Sequence, residues 1–233
     1  MEIQVEKETA SKDPNSKPIS VAGAVLVIVV TFVLALFVGG LILLIFGIAV
    51  YLVAGELILL AVPFSYMLYK RIDIKGYVGI KVTPKNVLMG IGLGVVLLFT
   101  GGFVSGILTT IFGVSQAAEQ TTALVASLST STWGLVAMVT SLFLAGVCEE
   151  FAFRGFLQNT IARRYSFIPA VIVSSVVFGI LHFDPQFVYI IWAFTESVML
   201  GVIYHYSKSY VVAAVAHSTL DLLAISLFLV FGI

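Results

Sequence analysis

The sequence predicts an all-α, polytopic membrane protein of about seven transmembrane helices, with its N-terminus on the cytoplasmic side. Two observations carry the fold class. Hydrophobic residues make up 60% of the chain and charged residues 10%, where soluble domains carry nearly half and about a quarter. Several apolar stretches also exceed the roughly 20 residues that cross a bilayer as a helix. A third observation orients the chain, because Lys and Arg fall in alternate loops, as in loops retained in the cytoplasm. Bases and acids balance at 12 each, and no basic block is interleaved with aromatics, so nothing points to nucleic acid. The one cysteine, Cys148, excludes an internal disulfide framework. Set in an apolar run, it reads as a packing residue rather than a nucleophile.

The first residues, 1–18, are polar and of mixed charge. A cleavable signal peptide opens on a short basic segment followed by an apolar core of roughly 7–15 residues. Here acids accompany the lysines and the following apolar run is far longer. The expectation is a cytoplasmic polar tail followed by one transmembrane helical domain over 19–233. From Ile19 to Tyr69 the chain is almost wholly apolar, with room for two helices. They turn somewhere between Gly39-Gly40 and Ala54-Gly55-Glu56. A turn near Gly55 is favoured, which sets Glu56, the only charge in the block, at the membrane interface; an earlier turn buries it. This ambiguity makes six and eight the neighbouring counts.

Lys70 to Lys85 carries Lys70, Arg71, Lys75, Lys81 and Lys85 against Asp73 alone and reads as a cytoplasmic loop. Asn86 to Val114 is the third span. Its glycines, Gly90, Gly92, Gly94, Gly101, Gly102 and Gly106, allow close helix approach. Ser115 to Thr132 lacks Lys and Arg and reads as non-cytoplasmic, with a short surface helix through Ala117 to Leu128. The fourth span starts near Trp133, an interface anchor, and runs to Arg163-Arg164. Phe167 to Phe183 is the fifth, ending on His182. Asp184 and Pro185 then read as the N-cap and first helical residue of a sixth span, over Phe187 to Tyr206, with Lys208 after it. Tyr210 to Phe231 is the seventh. The basic loops after spans two, four and six all fall in the cytoplasm, leaving the C-terminus outside. No internal repeat of the kind found in many secondary transporters is visible.

Charged groups in such helices are functional-site candidates by default, since one near the bilayer centre costs roughly 2.5–3.5 kcal/mol on insertion scales. The fourth span carries Glu149, Glu150 and Arg154. Glu150 and Arg154 are four apart and share a helix face, so they can neutralise each other as structure. Glu149 lies about 100° round the helix, without that arginine. Phe178 and His182 are again four apart, as are His217 and Asp221. Counted at 1.5 Å per residue, Glu149, His182, His217 and Asp221 can meet inside the membrane. Two chemistries then stand open. A carboxylate in apolar surroundings can act as a general base toward water near neutral pH, with histidines and a second acid holding the water or an oxyanion. Alternatively, His, His and carboxylate form a ligand set for zinc or another first-row ion with an open position for water. The His-Glu-x-x-His pattern is absent. No serine has the setting of a nucleophile elbow.

The motifs Glu149-Glu150-x-x-x-Arg154, Phe178-x-x-x-His182 and His217-x-x-x-Asp221 lie in that order on three separate apolar segments. Together they resemble those of the CAAX-protease and bacteriocin-processing (CPBP/Abi) family of intramembrane proteases, which includes the Ras-converting CAAX prenyl endopeptidases. The extended form Glu149-Glu150-Phe151-Ala152-Phe153-Arg154-Gly155-Phe156-Leu157 looks especially like the family's first motif. The resemblance covers about 133–233, the motif-bearing core; the remainder is generic membrane helix. It implies an intramembrane endopeptidase acting near the C-terminus of a prenylated CAAX-type or other membrane-associated substrate. By position, Glu149 would activate the water with His182 beside it, and His217 and Asp221 would hold the water or the oxyanion. Glu150 and Arg154 would support the site. The favoured account needs no metal; the other would place a divalent ion such as zinc on Glu149, His182, His217 and Asp221.

The implied partners are a lipidated or membrane-bound protein or peptide and the membrane lipid, in the cell membrane of a prokaryote or the endoplasmic reticulum of a eukaryote. One position departs from the family pattern. The last motif residue is often asparagine, and here it is Asp221. A carboxylate donates to an oxyanion only when protonated, so Asp221 either shares a proton or favours a metal. Glu196, outside the motifs, is expected to be a packed polar residue. Two rival readings are a non-catalytic immunity or scaffold protein on the same fold, and a proton-coupled transporter built on a carboxylate-histidine relay. The complete motif set favours the enzyme.

Overall fold

The computed structural model describes residues 18–232; the expected tail over 1–18 lies, Pro18 apart, outside the described residues. All the regular structure among them is helical. The first apolar block divides at Gly47, between α1 (Val21–Phe46) and α2 (Ile48–Tyr69). Gly47 has φ 81° and ψ 177°, a conformation open essentially to glycine alone. The pair is antiparallel, because Gly23 lies against Tyr66 and Gly39 against Tyr51. The turn therefore precedes the favoured position near Gly55, and Glu56 falls inside α2, not at an interface. Hydropathy does not register a turn made by one glycine flanked by Phe46 and Ile48.

The basic loop contains α3 (Ile74–Val78), capped by the Asp73 side chain. Next come α4 (Pro84–Phe112), with Thr83 as cap and Pro84 in its first turn, and α5 (Gln116–Leu128), capped by Ser115. The surface helix expected between spans three and four is thus present. From Thr132 to Arg164 one helix runs for 33 residues, as α6 (Thr132–Glu150), a π-helical stretch (Phe151–Gln158) and α7 (Asn159–Arg164). All eight residues of the π stretch are buried. The chain closes with α8 (Phe167–Leu181), α9 (Val188–Ser207) and α10 (Tyr210–Phe231).

Among the described residues, six helices are long and apolar enough to cross a membrane: α1, α2, α4, the Thr132–Arg164 helix, α9 and α10. The fifth expected span is present as α8, an apolar helix of 15 residues and shorter than the other six, about 22 Å long. It ends at His182, whose ring packs between Phe178 and Tyr189, and the exposed Phe183 follows.

Relative directions follow from paired contacts. Ser141 of α6 donates to the Leu52 carbonyl of α2, and Phe64 packs on Phe151 further along both helices, so α2 and α6 run parallel. Gly90 and Gly94 of α4 meet Val215 and Thr219 of α10, so these run parallel too. The basic segments gather at one end. The Tyr77 hydroxyl bonds Thr160, Arg163 lies over the Tyr77 ring, Tyr204 donates to the Val78 carbonyl, and Tyr210 N–H donates to Gly79. That clustering is what retention of basic loops on one side predicts.

Two expectations need correction. Of the six glycines in α4, Gly90 and Gly94 meet α10 and Gly101 meets α9, whereas Gly92, Gly102 and Gly106 face open space. Asp184 and Pro185 do not start the sixth helix. They lie in a turn closed by the Phe187 N–H on the Asp184 carbonyl; Phe187 takes φ 62°, and α9 begins at Val188. The Asp184 carboxylate accepts from the N–H of Gln186 and of Tyr189 at 3.1 and 2.8 Å. The bond two residues ahead favours a turn over a helical start. Burial opposes its charge, yet these N–H groups hold the Asp184 carboxyl below its ordinary range.

Candidate active site

The helix spacing brings Glu150 and Arg154 into a pair at 2.7 Å, both side chains fully buried. A second nitrogen of the guanidinium donates to the Ser197 carbonyl and hydroxyl at 3.1 and 3.0 Å, and the group lies over the Phe178 ring. The pair expected from sequence is formed, but it is not sealed off. The same Glu150 oxygen that meets Arg154 accepts from Nδ1 of His217 at 2.9 Å. Arg154 and Glu150 thereby fix the His217 ring on α10, where Gly146 lets α10 come close enough to α6: a Cβ there would collide with Ser218 and the Ala214 carbonyl.

With Nδ1 committed, Nε2 of His217 faces two more carboxyl groups. It stands 3.5 Å from Asp221 Oδ2 and 3.9 Å from Glu149 Oε2. His182 terminates α8 as its C-cap. Its Nδ1 donates to the Phe178 carbonyl at 2.9 Å, which leaves Nε2 as the free nitrogen. The ring packs between Phe178 and Tyr189. Glu149, His182, His217 and Asp221 all line one cavity of about 260 Å³. The residues come from α6, the end of α8, and α10. At 1.5 Å per residue Glu149 lies about 22 Å from Arg164 along its helix, so the cavity sits deep in the bundle.

Two further carboxyl groups line the same cavity, Glu56 from α2 and Glu196 from α9. Sequence reasoning placed the first at an interface and took the second for ordinary packing. Glu196 is 4% exposed, and neither of its carboxyl oxygens has a partner; Oε2 of Glu56 is likewise buried without one. The signal that could have found both is the general one, that an ionisable group within a membrane helix is functional by default.

A second cavity of about 380 Å³ adjoins the first, bounded by α4, the start of α5, α9 and α10. Its walls are mostly apolar, and Tyr189, Trp192 and Leu220 line both spaces. The Tyr189 and Trp192 rings stack at 5.4 Å with 12° between their planes, and Trp192 Nε1 donates to the Gly101 carbonyl. A stiff aromatic wall therefore divides a polar chamber from an apolar one.

The side chains do not converge as a metal ion requires. Among the described residues no three of His, Cys, Asp and Glu form a group that could hold one.

This is the architecture of a helical membrane protein with a buried chamber of carboxylates and histidines. The model of the family described as Type II CAAX prenyl endopeptidase Rce1-like matches residues 131–223. The resemblance read from the three motifs is borne out over the part of the chain that supplies Glu149, Glu150, Arg154, His182, His217 and Asp221. Glu56 lies outside the matched segment. Comparisons with curated proteins and with solved structures give no match.

Proposed function

We propose that the protein is an intramembrane endopeptidase that hydrolyses a peptide bond near the C-terminus of a prenylated CAAX-type or other membrane-associated substrate, using a glutamate-activated water. The observation that carries this reading is the shared cavity of Glu149, His182, His217 and Asp221. Glu149, free of Arg154, takes a proton from water, and the oxygen attacks the scissile carbonyl carbon. The resulting oxyanion needs a donor. A protonated Asp221, whose Oδ2 stands 3.5 Å from His217 Nε2, supplies it, which is how an aspartate serves where asparagine is the family's usual residue. His182 offers Nε2 to the water. Collapse breaks the C–N bond, and the proton held on Glu149 passes to the leaving amine. Glu150 and Arg154 act through His217, holding its ring in place. The apolar chamber beyond Tyr189 and Trp192 supports a substrate that carries a lipid chain.

The test is cleavage of a farnesylated CAAX peptide by the purified protein, compared with Glu149→Ala and His182→Ala. Cleavage by the wild type alone is expected. Equal cleavage by all three would remove both residues from the mechanism.

A further inference from the structure

The polar cavity holds more carboxyl groups than the proposed reaction uses. Glu56, Glu149, Glu196 and Asp221 line it with no Lys or Arg among the lining residues, Glu150 stands behind His217, and Arg154 is already engaged by Glu150 and Ser197. No ion pair to Glu56 or Glu196 is formed among the described residues, and His217 in the same cavity is already bonded to Glu150. No hydrogen bond reaches either carboxyl group among the described residues, and three of their four oxygens are both buried and unpartnered. Buried acceptors without partners are rare in folded proteins and call for a ligand, an ion or a role. Their position is also built rather than incidental. The Glu196 carboxyl sits where a Cβ on Gly101 would collide with its Oε1, so α4 is hollowed to admit it. Glu56 enters from the opposite side, on α2, because the hairpin turns at Gly47 rather than near Gly55.

We infer that Glu56 and Glu196 form a receptor for a cationic side chain, so that this protein selects a peptide with a lysine or arginine close to the scissile bond. The inference rests on the peptide-hydrolase reading and names a substrate class for the same cavity. An ammonium or guanidinium group brings donors and no acceptor, which is what orphaned carboxyl oxygens lack. Charge-assisted hydrogen bonds are about twice as strong as neutral ones. Taking a cation out of water is costly unless partners are already placed to receive it, and here two carboxyl groups are. A substrate acid at the same position would stand among Glu56, Glu149, Glu196 and Asp221 with only His182 and His217 to favour it, so selection against acidic peptides follows from the same geometry.

The experiment uses lipidated fluorescent peptides that differ at one residue, lysine, norleucine or glutamate, placed in turn on each side of the bond. Binding is read by anisotropy on the full-length Glu149→Gln protein in nanodiscs, and cleavage on the protein with Glu149 intact. At one position lysine is expected to bind about tenfold more tightly than norleucine, with glutamate weakest, a ratio equal to about 1.4 kcal/mol. Adding Glu56→Gln or Glu196→Gln should move that ratio toward one, and Glu56→Lys should turn the preference toward glutamate, a gain that misfolding cannot imitate. Affinities within twofold at every position, a ratio indifferent to Glu56→Gln and Glu196→Gln, or no binding by any peptide would overturn the inference. Charge-selective binding without cleavage would sink the peptidase reading and leave the receptor standing. Cleavage blind to charge would do the reverse.

Discussion

The helix from Thr132 to Arg164 and the helix α2 line one cavity but are built in opposite ways. Half of the apolar window of the first is buried inside the protein, against 6% for α2. The buried helix ties two of its charges into a network: Glu150 holds Arg154 and His217, and Arg154 holds Ser197, although Oε2 of Glu150 and Nε of Arg154 have no hydrogen-bond partner. The exposed helix brings a single carboxyl group with no partner. The difference teaches where each function resides. On the function proposed above, the network that keeps catalytic geometry is held by protein partners, while the group that would receive a substrate is left open.

The most severe way to break the contrast is to remove the one motif carboxylate that is not tied to Arg154. Glu149→Gln should lower kcat/KM by about 10²–10⁴-fold, the usual contribution of a positioned general base, with little change in thermal unfolding. Loss of the folded state alongside activity would instead assign Glu149 to structure. Arg154→Ala tests the closed network. It leaves buried Glu150 with His217 as its remaining partner; breaking such a buried pair costs about 3–5 kcal/mol, read as a lower midpoint in detergent unfolding. The double variant Glu150→Met with Arg154→Met should recover much of that stability and none of the activity, because His217 loses the acceptor on its Nδ1. Recovery of activity would show that Glu150 does not act through His217.

A milder comparison sets two faces of α4 against each other. Gly94→Ala places a Cβ against Thr219 and the Ala216 carbonyl, whereas Gly102→Ala meets nothing. Overpacking costs about 1–3 kcal/mol, and Gly-to-Ala in an open helix position gains roughly 0.5–1 kcal/mol. The two variants should therefore move the unfolding midpoint in opposite directions. If both stabilise, α4 and α10 are not in contact at Gly94.

What could be read from the sequence divides along the same line. The seventh span was legible to the residue, Tyr210 to Phe231, because a serine-lysine break and the chain end bound an uninterrupted apolar run. Glu150 with Arg154 was legible because a pair four apart on one helix is local. The bond from Glu150 to His217 was not, since it joins residues far apart in sequence on separate helices. Nor was Glu56, whose place depends on a turn carried by one glycine within an apolar block. The π-helical stretch left no sign in residue pattern; Gly155 suggests a break, but what it provides is room for Val78. Polar spacing shows which residues can pair along a helix, and packing decides what they face.

The smallest effect concerns the turn between α8 and α9, the one element of the site outside the helices that cross the membrane. Its anchor is the Asp184 carboxylate, held below its ordinary range by the N–H groups of Tyr189 and Gln186. A carboxyl group with a depressed folded pKa contributes stability that is fully present above the unfolded value, about 3.9, and is lost as pH falls through the folded value. Hydrogen exchange at the Gln186 and Tyr189 amides should therefore be slow and constant, relative to its intrinsic rate, above about pH 4 and accelerate on further acidification. Asp184→Asn keeps an acceptor oxygen but cannot titrate, so its protection should be weaker and independent of pH. Because this turn follows directly on His182, which caps α8, loosening it should raise KM before it lowers kcat. If protection in the wild type has no acid limb, Asp184 is not the anchor, and His182 is held by Phe178 and Tyr189 alone.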